Sequence, residues 1–301
     1  MDIKKYEVLL HTIDKGSFLR ACEDLGYTQS GITHMMNNLE NEIGFPLLQR
    51  SNKGVQLTPE GKKVLPTIRE LVNFNNKLNQ EIDLIKGLET GKVRIGSFVT
   101  VACAWLPRVI QTFQGKYPGI QIELFEENSI WRLEEWLQEG FIDICFFSKQ
   151  PYHTFEWIDL KKDPYLAVVP SKHPLAKQEQ VPVEAFVEES FLMFRSLDGP
   201  DRDISSYFKR IGIPLKSKYS CSSDFSVVFM IEHNLGISMM PELILEKIIR
   251  NYSINVVTKP LFPPLYRQLG LAVRSFQNIS PAMERFIKCT KDVLLKKSGN
   301  G

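Results

Sequence analysis

The chain has 301 residues, 43% of them hydrophobic and 24% charged, with a formal net charge of +2. At about 100 to 200 residues per domain this length predicts two domains or more, and the composition excludes disordered, collagen-like and low-complexity classes. A mean hydropathy of −0.15, with no uninterrupted apolar run of membrane length, excludes a spanning helix. The start, Met1-Asp2-Ile3-Lys4-Lys5, runs into amphipathic sequence without an apolar export segment, so a cytoplasmic location is expected. Five cysteines (Cys22, Cys103, Cys145, Cys221 and Cys289) are scattered and never spaced Cys-x-x-Cys. They are expected as reduced, mostly buried thiols rather than a disulfide framework or a zinc site.

Charge is divided unevenly. Residues 1–60 hold six bases and eight acids, so any contact with nucleic acid there must come from placed groups and not from a basic surface. Asp2 can cap a helix carrying Ile3, Tyr6, Leu10 and Ile13, which Gly16 stops. Ser17 can cap a second, short helix that buries Phe18, Ala21, Cys22 and Leu25 and ends at Gly26. Thr28 then caps a third, with Ile32, Met36, Leu39 and Ile43 on the buried side and Ser30, Thr33, His34 and Asn37 on the other. A short helix, a tight turn and a longer helix faced with small hydrogen-bonding side chains form a helix-turn-helix pattern. Hydroxyl, amide and imidazole groups can read base edges in a major groove. After Gly44, the stretch from Phe45 to Leu57 predicts a two-stranded wing whose tip offers Arg50 and Lys53 to phosphates, although each fits a solvated loop charge equally well.

The run Gly16-Ser17-Phe18, Ala21, Leu25, Thr28-Gln29-Ser30, Ile32-Thr33, Leu39-Glu40, Gly44, Leu47-Leu48-x-Arg50 and Leu57-Thr58-x-x-Gly61 resembles the winged helix-turn-helix of LysR-type transcriptional regulators. Cys22, Thr33 and Leu48 depart mildly from the family pattern, and His34 stands where the family often carries Arg or another polar residue. The resemblance implies DNA contacts from Thr28, Gln29, Ser30, Thr33, His34, Asn37, Arg50 and Lys53.

Thr58, Pro59 and Glu60 open a helix expected to run to about Leu88. Roughly 30 residues make a rod of about 45 Å, too long for the core of a small domain. Ile68, Leu71, Asn75, Leu78, Ile82 and Ile85 alternate spacings of three and four and read as a dimer seam with one polar member. A symmetric dimer would present two recognition helices to two half-sites.

Beyond Gly91 short apolar runs alternate with amphipathic helices, an α/β rhythm. Strands are expected at Val93 to Gly96, Ile120 to Phe125, Ile142 to Phe147, Tyr165 to Pro170, Phe191 to Phe194, Lys218 to Ser222, Ile237 to Met240 and Arg267 to Val273. Helices are expected at Leu106 to Phe113, Ile130 to Glu139, Asp203 to Ile211, Ser226 to His233 and Pro281 to Leu295. Arg94-Ile95-Gly96, Leu106-Pro107, Phe113, Tyr117-Pro118, Gly140-x-x-Asp143, His173-Pro174-Leu175 and Gly236-Ile237 with Pro241 resemble the LysR effector-binding domain, itself similar to periplasmic binding proteins.

The expected architecture is therefore multidomain. It has a mainly α winged helix-turn-helix domain at 1–58, a linker and dimerisation helix at 59–90, and an α/β effector-binding domain at 91–301. The last splits into subdomain I (91–161 and 266–301) and subdomain II (162–265), with a ligand cleft between them.

By position at strand ends and helix starts, Ser97, Thr100, Asn128, Ser129, Phe147 and Ser148 from one side, and Arg195, Ser196, Ser223 and Gly236 from the other, are the effector-binding candidates. Such groups suit a carboxylate, which Arg195 could clamp bidentately. Plain helix capping explains Ser97, Thr100 and Ser196 as well, and Arg195 also fits a surface charge. Trp105, Trp131 and Trp136 fit core packing or an aromatic pocket, and His153 and His233 read as structural rather than metal ligands.

No Ser-His-Asp signature, phosphate-binding glycine loop or His-Glu-x-x-His is present, so no enzyme and no cofactor are expected. The resemblance implies a regulator of promoter DNA, assembled as a dimer or tetramer and modulated by a small molecule, with RNA polymerase a further partner. The alternative is a thiol-based redox regulator of the same architecture. The region from Arg195 to Arg210 holds no cysteine, while Cys221 lies nearby.

Overall fold

The computed structural model describes residues 2–51, 54–194, 200–214 and 217–295. They form two compact units, one built from residues 1–91 with the short segments 138–141 and 279–282, the other from the remaining 92–295.

The first unit follows its caps. Helix α1 (Ile3–Lys15) starts where the Asp2 carboxylate accepts the Lys4 N–H, and α2 (Phe18–Leu25) starts at Ser17. Helix α3 (Gln29–Ile43) starts where Thr28 Oγ1 accepts the Gly31 N–H at 3.1 Å. All three stop at glycines with positive φ, namely Gly16, Gly26 and Gly44. Strands β1 (Leu48–Ser51) and β2 (Gly54–Leu57) pair antiparallel as the wing. The Glu40 carboxylate accepts the N–H groups of Leu47 and Leu48, at 2.7 and 2.9 Å, and so fastens the wing to α3.

Helix α4 (Pro59–Ile85) opens on Thr58, whose hydroxyl accepts the Gly61 N–H and donates to the Pro46 carbonyl. It ends three residues short of the expected Leu88, just before Gly87 at φ 76°. Its first half buries Leu65, Ile68 and Val72 in one core with Leu9, Ile32, Met36, Leu39 and Leu47.

Ile68 therefore belongs to the core of its own chain, with 7% exposure, and not to the open stripe that the expected seam required. A helix of this length meets its own domain first, and only the turns beyond that core are left for another surface. Leu71, Leu78, Ile82 and Ile85 are exposed, joined by Phe74, which the strict three-and-four spacing passed over.

The second unit contains a sheet in the order β4-β3-β5-β12-β6-β11-β7, with β10 also paired to β6. In chain order the elements are β3 (Gly91–Ser97), α5 (Val99–Ala104), α6 (Leu106–Lys116), β4 (Ile120–Glu126), α7 (Ile130–Gln138), β5 (Ile144–Ser148) and β6 (Glu156–Pro170). There follow β7 (Val181–Pro182), α8 (Ala185–Glu188), β8 (Phe191–Phe194), α9 (Pro200–Arg210), β9 (Ser217–Cys221), α10 (Asp224–Glu232), β10 (Ser238–Pro241), α11 (Glu242–Tyr252), β11 (Val256–Phe262), β12 (Tyr266–Val273) and α12 (Pro281–Leu294).

Strand β6 joins two halves. Its first part pairs with β12, and its second with β10 and β11. At the crossing, Arg267 of β12 and Asp163 of β6 form an ion pair with both residues under 4% exposed. The other Asp163 oxygen accepts the Leu243 N–H at the start of α11. The ladder between β6 and β12 shifts register at Leu269/Gly270.

Strands β8 and β9 pair parallel, beside β10. No helix among the described residues is long and apolar enough to cross a membrane.

Candidate nucleic-acid interface and effector site

On α3, Gln29, Ser30, Thr33, His34 and Asn37 line one open depression of about 420 Å³. The spacing places them together because i, i+3, i+4 and i+7 share a face, while Ile32, Met36 and Leu39 anchor the opposite face at 2% exposure or less. Gln29, Ser30, His34 and Asn37 are exposed and Thr33 is half-buried. Thr28 and Ser30 hydroxyls lie 3.1 Å apart at the start of the helix, where the helix dipole favours an anion such as a phosphate. Arg50 lies on β1 opposite Val55. Lys53 lies outside the described residues. The wing is held against the head by the Val55 N–H, which donates to the Gly16 carbonyl at 3.0 Å. A side chain at Gly54 would lie 2.4 Å from that carbonyl oxygen.

The effector candidates divide into committed and available groups. Ser97 is fully buried and its hydroxyl donates to the Phe98 carbonyl. Phe147, also fully buried, packs edge-on against His153 and Trp157, and Ser148, at 2% exposure, accepts from the Gln150 side chain. The N–H groups of Asn128 and Ser129, expected to meet an anion, both donate to the Glu127 carboxylate at 2.7 and 2.9 Å. The start of α7 thus already holds a carboxylate from its own chain. Gly236 is required by packing, since a Cβ there would lie 1.9 Å from the Ser190 carbonyl oxygen. Thr100 is nine-tenths buried on α5, a helix packed against α11, and Ser223 sits half-buried at the start of α10 with no capping bond from its side chain. Arg195 and Ser196 lie outside the described residues.

Sequence reasoning missed the acidic surroundings of this region. Burial pushes the Asp224 carboxyl up to about 6, with the Arg267 guanidinium pulling weakly the other way. Burial, with Glu126 and Asp224 close by, raises the Cys103 thiol above its usual range. Cys103 follows Thr100 by three residues on α5, so both face the same side. Cys103 is exposed and Cys221 half-buried, against the expectation for a buried set, whereas Cys22, Cys145 and Cys289 are buried; all five are free thiols. The tryptophans do not form one pocket wall. Trp105 is buried, Trp131 is 60% exposed, and Trp136 packs on Phe125. His153 Nδ1 pairs with Glu134 at 2.5 Å, and His233 Nδ1 lies 2.9 Å from the Phe229 carbonyl.

Two sequence families match this arrangement. Residues 3–62 match the family described as bacterial regulatory helix-turn-helix protein, lysR family, and residues 86–295 match the LysR substrate binding domain. The chain belongs to the LysR family of bacterial transcriptional regulators, which are not enzymes. It is 29% identical to the HTH-type transcriptional regulator YvbU of Bacillus subtilis, over 97% of this chain and 99% of the relative. The transcriptional activator CmpR of Synechocystis is 27% identical, over 79% of this chain and 78% of its own.

Among solved structures, full-length OxyR from Pseudomonas aeruginosa superposes with a TM-score of 0.80 at 18% identity, over 100% of this chain and 99% of its own. The effector-binding domain of QuiR in complex with shikimate matches with a TM-score of 0.61 at 23% identity, over 69% of this chain and 98% of its own. These two likenesses concern the fold. The OxyR likeness covers the expected winged helix-turn-helix and two-part α/β effector domain, and the QuiR likeness the effector domain alone.

Proposed function

We propose that the chain reads promoter DNA with the α3 face of Gln29, Ser30, Thr33, His34 and Asn37, helped by Thr28 at the helix start and by Arg50 and Lys53 of the wing. The observation that carries this reading is the single exposed depression those five α3 residues share. In this reading the domains divide as the sequence predicts, into residues 1–58, 59–90 and 91–301. The exposed stripe of Leu71, Phe74, Leu78, Ile82 and Ile85, with Asn75 beside it, supports pairing of two copies through α4. A gel shift on DNA upstream of the gene tests it. Thr33→Ala combined with Asn37→Ala abolishes sequence-specific binding, and unchanged binding overturns the assignment.

The effector is a small molecule taken up between the two halves of the α/β domain, close to Thr100, Ser223 and Asp224. Shikimate in QuiR is a carboxylate in a domain of this fold, which supports the same class here. A carboxylate bound beside Asp224 binds more tightly as pH falls through about 6, because the neutral acid no longer repels it. Thermal-shift titration of small carboxylates on either side of that pH, repeated on Asp224→Asn and Arg195→Ala, reads the effect. A stabilisation indifferent to all three removes the site.

The thiol reading has less support. At Cys103, the exposed cysteine, partial desolvation of the sulfur and the nearby Glu126 and Asp224 raise the thiol above its usual range and so disfavour the thiolate.

A further inference from the structure

Helix α4 carries a second face besides its exposed apolar stripe. Arg69, Asn73 and Gln80 are spaced four and seven residues apart and so share one side, roughly opposite Leu71, Phe74, Leu78 and Ile82. Each holds a segment distant in sequence, and all of these contacts lie inside the first compact unit.

The Arg69 guanidinium, 3% exposed, donates from Nη1 to Asp14 Oδ2 at 3.2 Å and pairs through Nη2 with Asp14 Oδ1. Its Nε is buried with no partner among the described residues, and its central carbon stands 5.3 Å from the ring centre of Phe141. The Asn73 amide donates to the Gly140 carbonyl at 3.4 Å. Gln80 is 8% exposed, and its Oε1 accepts the Ala282 N–H at 3.2 Å, so a side chain of α4 caps the first turn of α12 across 202 positions of sequence. A Cβ at Gly91 would come within 2.8 Å of the Gln80 side chain, so the start of β3 also closes on it.

Burying an ion pair is a poor way to add stability, because replacing both partners by apolar residues of like volume does as well. Such groups fix position instead. Asp14 belongs to α1 of the DNA-reading head. Gly140 and Phe141 link α7 to β5, and Ala282 begins α12, so three stretches far apart in sequence are held on one helix.

We propose that Arg69, Asn73 and Gln80 are positioning residues of a clamp that holds α1, residues 138–141 and the first turn of α12 to one register on α4.

Hydrogen exchange on the full chain tests the clamp. Asp14→Ala, which touches no effector-domain segment directly, speeds exchange at residues 138–144 about fivefold or more, and Phe141→Ala does the same at the end of α1, since coupling is reciprocal. Gln80→Leu speeds exchange of the first turn of α12, whereas Gln80→Glu, which keeps an acceptor, restores protection. Should Gln80→Leu fail to fold, Asn73→Val, read at residues 138–142, replaces it. Exchange unchanged at the distant segment in both Asp14→Ala and Phe141→Ala overturns the clamp.

Discussion

In the head, Gln29, Ser30, His34 and Asn37 stand exposed on α3 above a closed apolar core, while in the α/β domain Ser97, Phe147 and Ser148 are buried and the N–H groups of Asn128 and Ser129 bind Glu127. Both regions offer polar groups at helix starts, but most of those in the head are exposed, while the described ones in the α/β domain are buried or half-buried. A duplex is too large to be enclosed, so the groups that read it must face solvent. A small ligand is enclosed, and the groups around its site must be satisfied whether or not it is present. A polar residue at a helix start is thus good grounds for a site on the head and poor grounds in the α/β domain.

The largest effect that would break this contrast is at the DNA face. If the proposed reading holds, Thr33→Ala with Asn37→Ala removes two base contacts worth about 1–3 kcal/mol each, so specific binding falls at least tenfold towards the nonspecific level in a gel shift. Loss confined to nonspecific binding would place the contacts elsewhere.

Next comes Arg69→Met. Removing one partner of a buried ion pair costs about 3 kcal/mol, at the low end of its range because Asp14 keeps partial solvent access. Urea denaturation measures it, and an unchanged midpoint would deny the pair any part in the head's stability.

Asp224→Asn sharpens the other side. The folded carboxyl titrates at about 6 against 3.8 for the ordinary group, so the folded state holds its proton more tightly and stability falls as pH rises from about 4 to 6. The variant is therefore more stable above pH 6, by up to about 3 kcal/mol, and gains nothing below pH 4. Melting curves across that range check the sign.

Smaller still, Asn75→Leu tightens the dimer severalfold while loosening its register, read by dilution in sedimentation. A weaker dimer would remove Asn75 from the pairing surface.

The head was legible because its signals are local. Asp2, Ser17, Thr28 and Thr58 cap where their types predict, and Gly16, Gly26 and Gly44 stop the helices they follow. In the α/β domain most apolar strands were equally plain, but α5, α11, β11 and the first part of β6 were not. Strand β6 begins with alternating acids, bases and a proline at Pro164, and β11 contains Pro260, patterns that speak against a strand until a paired neighbour supplies the ladder. Helix α5 is six residues long, too short to show a period. At the effector site the missing information was pairwise. That Asp224 and Glu126 approach Cys103, or that Glu127 fills the start of α7, depends on contacts that no spacing along one element encodes. Ile68 was misplaced for the same reason, since periodicity shows which face is apolar and not which neighbour covers it.

The crossing of β6 and β12 limits how the two halves of the α/β domain can move. Twisting a strand ribbon leaves its ladder intact, whereas sliding one strand along the other would tear Arg267 from Asp163 and leave two buried charges unpaired. The crossing therefore favours torsion over sliding between these two strands.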